Sequence, residues 1–385
     1  MFPKPIKKSL RVALAVAGIF VLGGLGGVAF DRYVIPYLSS VSALANLGVF
    51  KSLTERVTII NKTEQVVIRE DDSVEKIVSQ PATAVVNIVA LANENNAAKK
   101  EVATITGVLL TNDGLIATYS EKPFGDEDVR YLILLFDGSS HPADFVGYDP
   151  LTNLSFFRLG DPVSTPAIAL ANSDDARVGK KLIAIGNTPA EYQNRLSVGI
   201  LSNINRTFNL SGKTVSSSEK WEGVFETDFN TFENFIGGPA IGFNGEMVGL
   251  IGMLSIDNAP RTFLIPSNVV RASFDRAIRG TLSKRPTLGV YYLPITKTLA
   301  LAHGLTRDRG ALIYSASGKT GLALIADSPA MRAGLLVGDI ITAVNGTEIS
   351  LDNPLPKLLS RFSVSDTIEL SVFRKGTDIK IPVTL

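Results

Sequence analysis

The chain has 385 residues, enough for two or three domains each with its own core, and its 38 basic and 37 acidic residues give a formal net charge of +1. That balance carries no basic excess, so no nucleic-acid partner is expected. Cysteine is absent, which excludes disulfides, thiolate metal sites and a cysteine nucleophile; the two histidines, His141 and His303, are the sole candidates for an imidazole base.

Residues 1–11 form a basic tail carrying Lys4, Lys7, Lys8 and Arg11. The run Val12–Phe30 holds no charge, and at about 1.5 Å per residue it reaches roughly 28 Å, enough to cross a bilayer. It exceeds the apolar stretch of a secretory signal, and no A-x-A cleavage pattern follows it, so an uncleaved single-pass anchor is expected over a cleaved signal. The basic flank puts the amino terminus in the cytoplasm and the rest of the chain outside. Gly23 and Gly27 make a GxxxG pattern that chance accounts for in so glycine-rich a segment.

Residues 31–75 read as an extracytoplasmic spacer. Within it Val57–Ile68 is rich in β-branched residues and reads as a strand with a turn near Asn61. Asp71-Asp72-Ser73 is placed to cap a short helix through Val78, closed by Pro81. Ala84–Val89 opens the next domain as a buried strand. Short β-branched runs follow at Thr104–Leu110, Leu115–Thr118, Tyr131–Phe136, Asp144–Gly147, Leu154–Leu159, Lys181–Ile185 and Leu196–Leu201, separated by turn signals such as Asn112-Asp113-Gly114 and Asp137-Gly138. That texture predicts an all-β sandwich or barrel. Thr207–Glu219 is polar and serine-rich and reads as a flexible loop.

Thr227–Pro239, TDFNTFENFIGGP, reads as a buried strand running into a tight Gly-Gly-Pro turn. A second apolar strand follows over Ala240–Ile251, broken at Asn244-Gly245. From about Arg285 an independent unit begins. Leu288-Gly289-Val290 starts a strand, Asp327–Leu335 caps and fills a short helix, and Asn345-Gly346 makes a hairpin turn. Pro354–Phe362 is a helix with Leu355, Leu358 and Leu359 on one face, and the last strands are Thr367–Arg374 and Asp378–Leu385.

Thr227–Pro239 resembles, without a gap, the active-site segment T-D-A-A-I-N-x-G-N-S-G-G-P of HtrA-type (DegP/DegS-like) serine proteases. Thr227, Asp228, Gly237, Gly238 and Pro239 match it. Further matches come in family order. Gly107–Leu110 resembles G-x-G-V-I and Gly114–Thr118 resembles G-x-V-L-T; Gly147-Tyr148-Asp149 resembles G-x-D. Ser173-Asp174 with Val178-Gly179 resembles S-D-x-x-x-V-G, and Ala184–Asn187 reads A-I-G-N. Gly199–Ser202 resembles G-I-V-S, and Ile265-Pro266-Ser267 resembles I-P-S. The resemblance implies a mostly β chain: an N-terminal transmembrane helix, a trypsin-like double β-barrel over 76–280 and a C-terminal PDZ domain over 285–385.

The three catalytic positions do not follow the family. Counting from Gly114, its histidine falls at Glu121; its aspartate, four residues past G-x-D, falls at Asn153; its serine falls at Ile236. Serine attack requires an Oγ, a base to take its proton and a group to hold the base's tautomer. Isoleucine has no nucleophilic atom. Positions 229–236 offer only the hydroxyl of Thr231, five residues early, and it is set aside as a nucleophile. The family's oxyanion-turn glycine is replaced by Asn234, which tolerates positive φ, so that the turn, with Gly237 and Gly238 serving backbone geometry, is expected to survive without chemistry.

Other candidates have plainer readings. His141 lies beside a turn and His303 on the surface of the last domain. Neither sits in an acidic cluster, so no metal site is expected, and no cofactor. Glu121, Asp228 and Glu233 are better read as remnants of the protease segment than as a two-carboxylate hydrolase. Trp221 reads as packing. By resemblance, Leu288-Gly289-Val290 is the PDZ carboxylate-binding loop, where an extended peptide adds as a strand and its terminal carboxylate meets backbone N–H groups. Arg285 is a candidate for added charge attraction there.

The expected function is therefore a membrane-anchored pseudoprotease of the periplasmic side. Through its PDZ domain it is expected to bind polypeptide C-termini or unfolded proteins, in quality control or as regulator or scaffold of an active protease. A homotrimer or hetero-assembly is implied by the resemblance alone. Two rivals stand: an active serine endopeptidase with a relocated catalytic site, and a purely structural envelope protein.

Overall fold

The computed structural model describes residues 8–34, 70–92, 103–125, 129–161, 165–187, 194–213, 215–229, 233–256, 259–315, 317 and 322–385. The chain divides into two units, Met1–Val67 and Ile68–Leu385. In the first, helix α1 (Lys8–Ala29) runs into a π-helical turn, Phe30–Val34. Among the described residues no helix is long and apolar enough to cross a membrane. The side chains described in α1 begin at Ala15, so the expected span Val12–Phe30 falls only partly within them. The expected strand Val57–Ile68 lies outside the described residues.

The second unit opens with helix α2 (Glu70–Val78) and a 3-10 turn, Pro81–Ala84. The helix starts one residue before Asp71, so Asp71-Asp72-Ser73 lies inside the first turn rather than capping it.

Twelve of the strands close into two six-stranded barrels. The first comprises β1 (Val85–Ala92), β2 (Ala103–Leu109), β3 (Leu115–Tyr119), β4 (Val129–Leu134), β5 (Ser140–Asp149) and β6 (Leu154–Leu159), in the order β1-β2-β3-β6-β5-β4. Its interior is aromatic: the Phe157 ring lies 5.0 Å from Tyr131 and 5.3 Å from Phe124, both edge-on. Edge-on geometry adds about 0.5–1.5 kcal/mol per pair beyond area burial.

The second barrel comprises β7 (Lys181–Asn187), β8 (Asn194–Asn209), β10 (Glu222–Thr227), β11 (Pro239–Gly242), β12 (Met247–Ile256) and β13 (Ala259–Pro266), in the order β10-β13-β12-β11-β7-β8. Helix α3 (Ser267–Ile278) then returns to the first barrel, where Ser273 Oγ donates to Asp149 Oδ2 at 2.6 Å.

Two sequence expectations change here. The strand expected through the start of Thr227–Pro239 ends at Thr227; Glu233–Phe235 is a 3-10 turn, and only Pro239 begins the next strand. Thr207–Glu219 is not a free loop. Thr207–Asn209 finishes the 16-residue β8, and Ser216–Ser217 forms a short strand, β9.

The last sheet runs β19-β18-β16-β15-β14-β9, with β17 beside β16. It is built from β14 (Tyr291–Pro294), β15 (Ala311–Ile313), β16 (Ile340–Val344), β17 (Thr347–Glu348), β18 (Thr367–Arg374) and β19 (Thr377–Thr384), with helices α4 (Lys297–His303), α5 (Pro329–Arg332) and α6 (Leu355–Leu359). Leu355, Leu358 and Leu359 are all buried, as their shared face predicts. The strand β9 that completes this sheet comes from the segment linking β8 and β10 of the second barrel.

Candidate functional site

Three elements meet where a trypsin-like barrel pair would place its chemistry: the end of β3, the turn after β5, and the 3-10 turn before β11. Gly237 fixes the last of these. It adopts φ +85, and a Cβ there would overlap Thr106 O and Thr118 Oγ1 of the first barrel. A residue with a side chain is excluded by both sterics and backbone strain. The Asn234 carbonyl is held too, accepting from Thr106 Oγ1 at 2.7 Å. Asn234 itself sits in the 3-10 turn and is not among the positive-φ residues, so the left-handed conformation expected of it is not used.

Ile236 is half-buried and lines an open cavity of about 300 Å³ with Ile88, Ala90, Thr104, Ile105, Phe124 and Met253. The lining side chains are apolar apart from Thr104, and they include no imidazole and no carboxylate. Thr231, the alternative hydroxyl, lies outside the described residues, as does the Glu233 side chain. Asp228 Oδ1 accepts the Ile200 N–H at 2.6 Å, a backbone-holding role rather than that of an acid or base.

Glu121 and Asn153 are brought together through Tyr148, whose hydroxyl donates to Asn153 Oδ1 at 2.7 Å and reaches the Glu121 carbonyl at 3.4 Å. Glu121 is exposed, whereas Asn153 is buried. Asn153 sits at φ +60, a conformation Asn tolerates better than most residues. Its Oδ1 also accepts from Lys220 Nζ at 2.6 Å, and its Nδ2 donates to Tyr119 Oη at 3.3 Å. Burial pushes the Tyr148 phenol up to about 12 and the Tyr119 phenol higher still; the Lys220 ammonium is lowered, by burial first. Where an aspartate would orient a histidine, the structure has a neutral amide locked between two phenols and a lysine. Nothing in the sequence singles out Lys220, which lies one residue beyond the segment Thr207–Glu219.

One hydroxyl does meet an imidazole. Ser139 Oγ lies 3.0 Å from His141 Nε2, and the same Oγ donates to Asp137 Oδ1 at 2.6 Å. This group sits on the β4–β5 hairpin and not among the residues lining the Ile236 cavity. Asp137 also accepts the Ser139 N–H, so the carboxylate closes the turn. Its hydrogen bonds to Ser139 hold its carboxyl below the usual range. The carboxylate is on the hydroxyl instead of on the imidazole, which is not the arrangement that holds a histidine as a base. His303 is exposed at the end of α4. Among the described residues no group of three or more metal-ligating side chains clusters.

The loop before β14 holds the side-chain carboxylate of Glu219. Gly289 adopts φ +81, and a Cβ there would overlap Ser328 Cβ. Its N–H donates at 2.8 Å, and that of Leu288 at 3.0 Å, to one oxygen, Glu219 Oε1. The Val290 N–H donates to Ser218 Oγ at 3.0 Å. Arg285 does not add its charge to this cradle. Its Nε donates to Asp149 Oδ1 at 3.1 Å and its Nη2 to Asp149 Oδ2, a buried bidentate pair. This corrects the expectation of Arg285 as a peptide attractor, because its fork is already filled.

The paired barrels with a PDZ-type sheet define the class: a trypsin-like domain joined to a PDZ domain. A model described as trypsin-like peptidase domain matches residues 102–250, and one described as PDZ domain matches 305–385. A probable periplasmic serine endoprotease, DegP-like, of Halomonas elongata is 29% identical over 283 residues, covering 73% of this chain and 56% of that one. The protein of the same description from Chlamydia pneumoniae is 30% identical over 289 residues, covering 74% and 55%. The chain thus spans about half the length of the curated relatives it matches. Among solved structures, the HtrA-type protease AlgW with tripeptide superposes with TM-score 0.63 at 25% identity, over 80% of this chain and 95% of that one. The same protease with decapeptide gives 0.59 at 23%, over 80% and 96%. The chain belongs to the HtrA-type family.

Proposed function

We propose that this chain is an HtrA-like pseudoprotease: it binds polypeptides through its PDZ cradle and does not hydrolyse them. The observation that carries this reading is Ile236, a hydrocarbon at the nucleophile position of a turn whose backbone is otherwise held, beside a cavity lined without an imidazole. Peptide binding is supported by the Leu288–Val290 loop, whose Leu288 and Gly289 N–H groups converge on a carboxylate. The AlgW structures named with tripeptide and decapeptide favour the same ligand class.

The remaining parts of the reading rest on sequence and kinship. Domain boundaries fall at 76–280 and 285–385. The periplasmic description of the relatives supports an extracytoplasmic site, with the role in envelope quality control or as regulator of an active protease. Anchoring through Val12–Phe30 is supported by its lack of charge and by the exposed Ile19, Phe20, Leu22 and Leu25 on α1. Assembly as a trimer, or with an active protease, follows the family. The test is titration of the full chain, in detergent, with decapeptides bearing a free or an amidated terminus. Binding that requires the free carboxylate supports the reading. Absence of binding at millimolar peptide favours a purely structural protein instead.

A further inference from the structure

We infer that the PDZ cradle already holds an internal ligand, the segment Ser216–Glu219 of this same chain, and that an external chain end binds only by displacing it. The inference rests on the peptide-binding reading above. Strand β9 pairs antiparallel with β14, Tyr291 opposite Ser217 and Tyr292 opposite Ser216. In this sheet β14 has β15 on one side and β9 on the other, so without β9 it would be an open edge. Adding an extended segment to such an edge is the recognition mode of peptide-binding sheets of this kind.

The segment continues as a ligand would. Ser218 N–H donates to Val290 O at 3.0 Å and Ser218 Oγ accepts from Val290 N–H, which extends the ladder by one residue. Glu219 then turns its side-chain carboxylate onto the Leu288 and Gly289 N–H groups, where a main-chain terminal carboxylate would sit. Its other oxygen, Oε2, accepts from Ser217 Oγ at 3.1 Å, and Oε1 also accepts from Ser218 Oγ at 2.7 Å, so the carboxylate is oriented from within its own segment. A cavity of about 110 Å³ beside it, whose lining includes Ser218, Glu219, Arg285, Thr287, Pro356 and Leu359, would take the last side chain of an incoming peptide. Closing the base of the excursion, Leu210 N–H donates to Trp221 O at 2.9 Å, so the ligand segment is carried by the second barrel.

The apparent affinity for an outside chain end is lowered by the fraction of molecules in which Glu219 is home. Removing one charge-assisted pair of hydrogen bonds is expected to raise that affinity about tenfold or more. The test compares the full-length wild type with Glu219→Ala and with Glu219→Gln, which keeps a neutral acceptor. The probes are decapeptides with randomised last three residues, with free or amidated termini. Hydrogen–deuterium exchange at Leu288, Gly289 and Val290 is followed without peptide, and thermal melting reports whether each variant folds. Tighter binding of free-carboxylate peptides to Glu219→Ala, with faster exchange at those amides, is expected, Glu219→Gln falling between. Equal peptide affinity in wild type and both variants overturns the internal ligand and leaves the peptide-binding reading standing. Unchanged amide exchange in the variants overturns it as well. Absence of binding to all three proteins overturns both.

Discussion

The hydroxyl of Tyr292, on the first strand of the PDZ sheet, donates a 2.7 Å hydrogen bond to Glu222 Oε2 on β10 of the second barrel. Both groups are buried, and burial pushes the Glu222 carboxyl from 4.5 up to about 7. Between those pH values the folded chain holds a proton that the unfolded chain releases. Stability therefore falls as pH rises from about 4.5 through 7, and is level above. Glu222→Gln, which imitates the protonated group, is expected to remove that slope and add on the order of 3 kcal/mol above pH 7. Denaturant midpoints from pH 4 to 9 check this; parallel curves for the two proteins refute it.

The Asp149–Arg285 pair joins the first barrel to the segment that leads into the PDZ sheet. Arg285→Met leaves a buried carboxylate whose remaining partners among the described residues are Ser273 Oγ and the Leu151 N–H. A loss of about 3–5 kcal/mol is expected, because an uncompensated buried charge costs more than the pair contributes. Asp149→Asn combined with Arg285→Met is expected to cost less than the sum of the single changes. Urea titration of the three variants decides it.

Asn153→Ala removes the acceptor shared by Tyr148 and Lys220 and puts at φ +60 a residue that tolerates it less well than asparagine. About 2–4 kcal/mol of destabilisation is expected from the lost hydrogen bonds, with Lys220 Nζ left on the Pro150 carbonyl at 2.8 Å, and the left-handed backbone together. If Asn153 were a vestige without structural duty, its removal would shift the urea midpoint hardly at all.

Gly289→Ala places a Cβ against Ser328 and strains a left-handed residue. Peptide affinity is expected to drop by about tenfold or more, since the Leu288 and Gly289 N–H groups can no longer converge on one oxygen. Retained affinity in a folded Gly289→Ala protein would place the ligand elsewhere.

Local pattern located much of the sheet structure and little of what joins it. The runs Leu154–Leu159 and Thr367–Arg374 emerge as strands with those bounds, because apolar alternation and flanking turns are local signals. Strand β8 was read only as far as Leu201, since Asn203, Asn205 and Thr207 carry no β pattern of their own. Two of those side chains, Asn203 and Asn205, instead hold Glu226 on the neighbouring strand. Ser216–Glu219 looked like a loop for the same reason: its partner strand begins at Tyr291, and nothing in a serine run announces it. The sequence around Arg285 does not show its partner, because the Asp149 carboxylate lies 136 residues away. The Ile236 substitution, by contrast, needed no structure to be seen, only the fixed spacing to Gly237-Gly238-Pro239.

The most direct test is active-site labelling of the full chain with a fluorophosphonate probe, alongside casein turnover with and without added C-terminal peptide. Neither labelling nor turnover is expected in the wild type, nor in Ile236→Ser, where a hydroxyl would still lack an imidazole at Glu121. Stoichiometric modification of a serine in the wild type, with peptide-dependent cleavage of casein, would contradict the pseudoprotease reading.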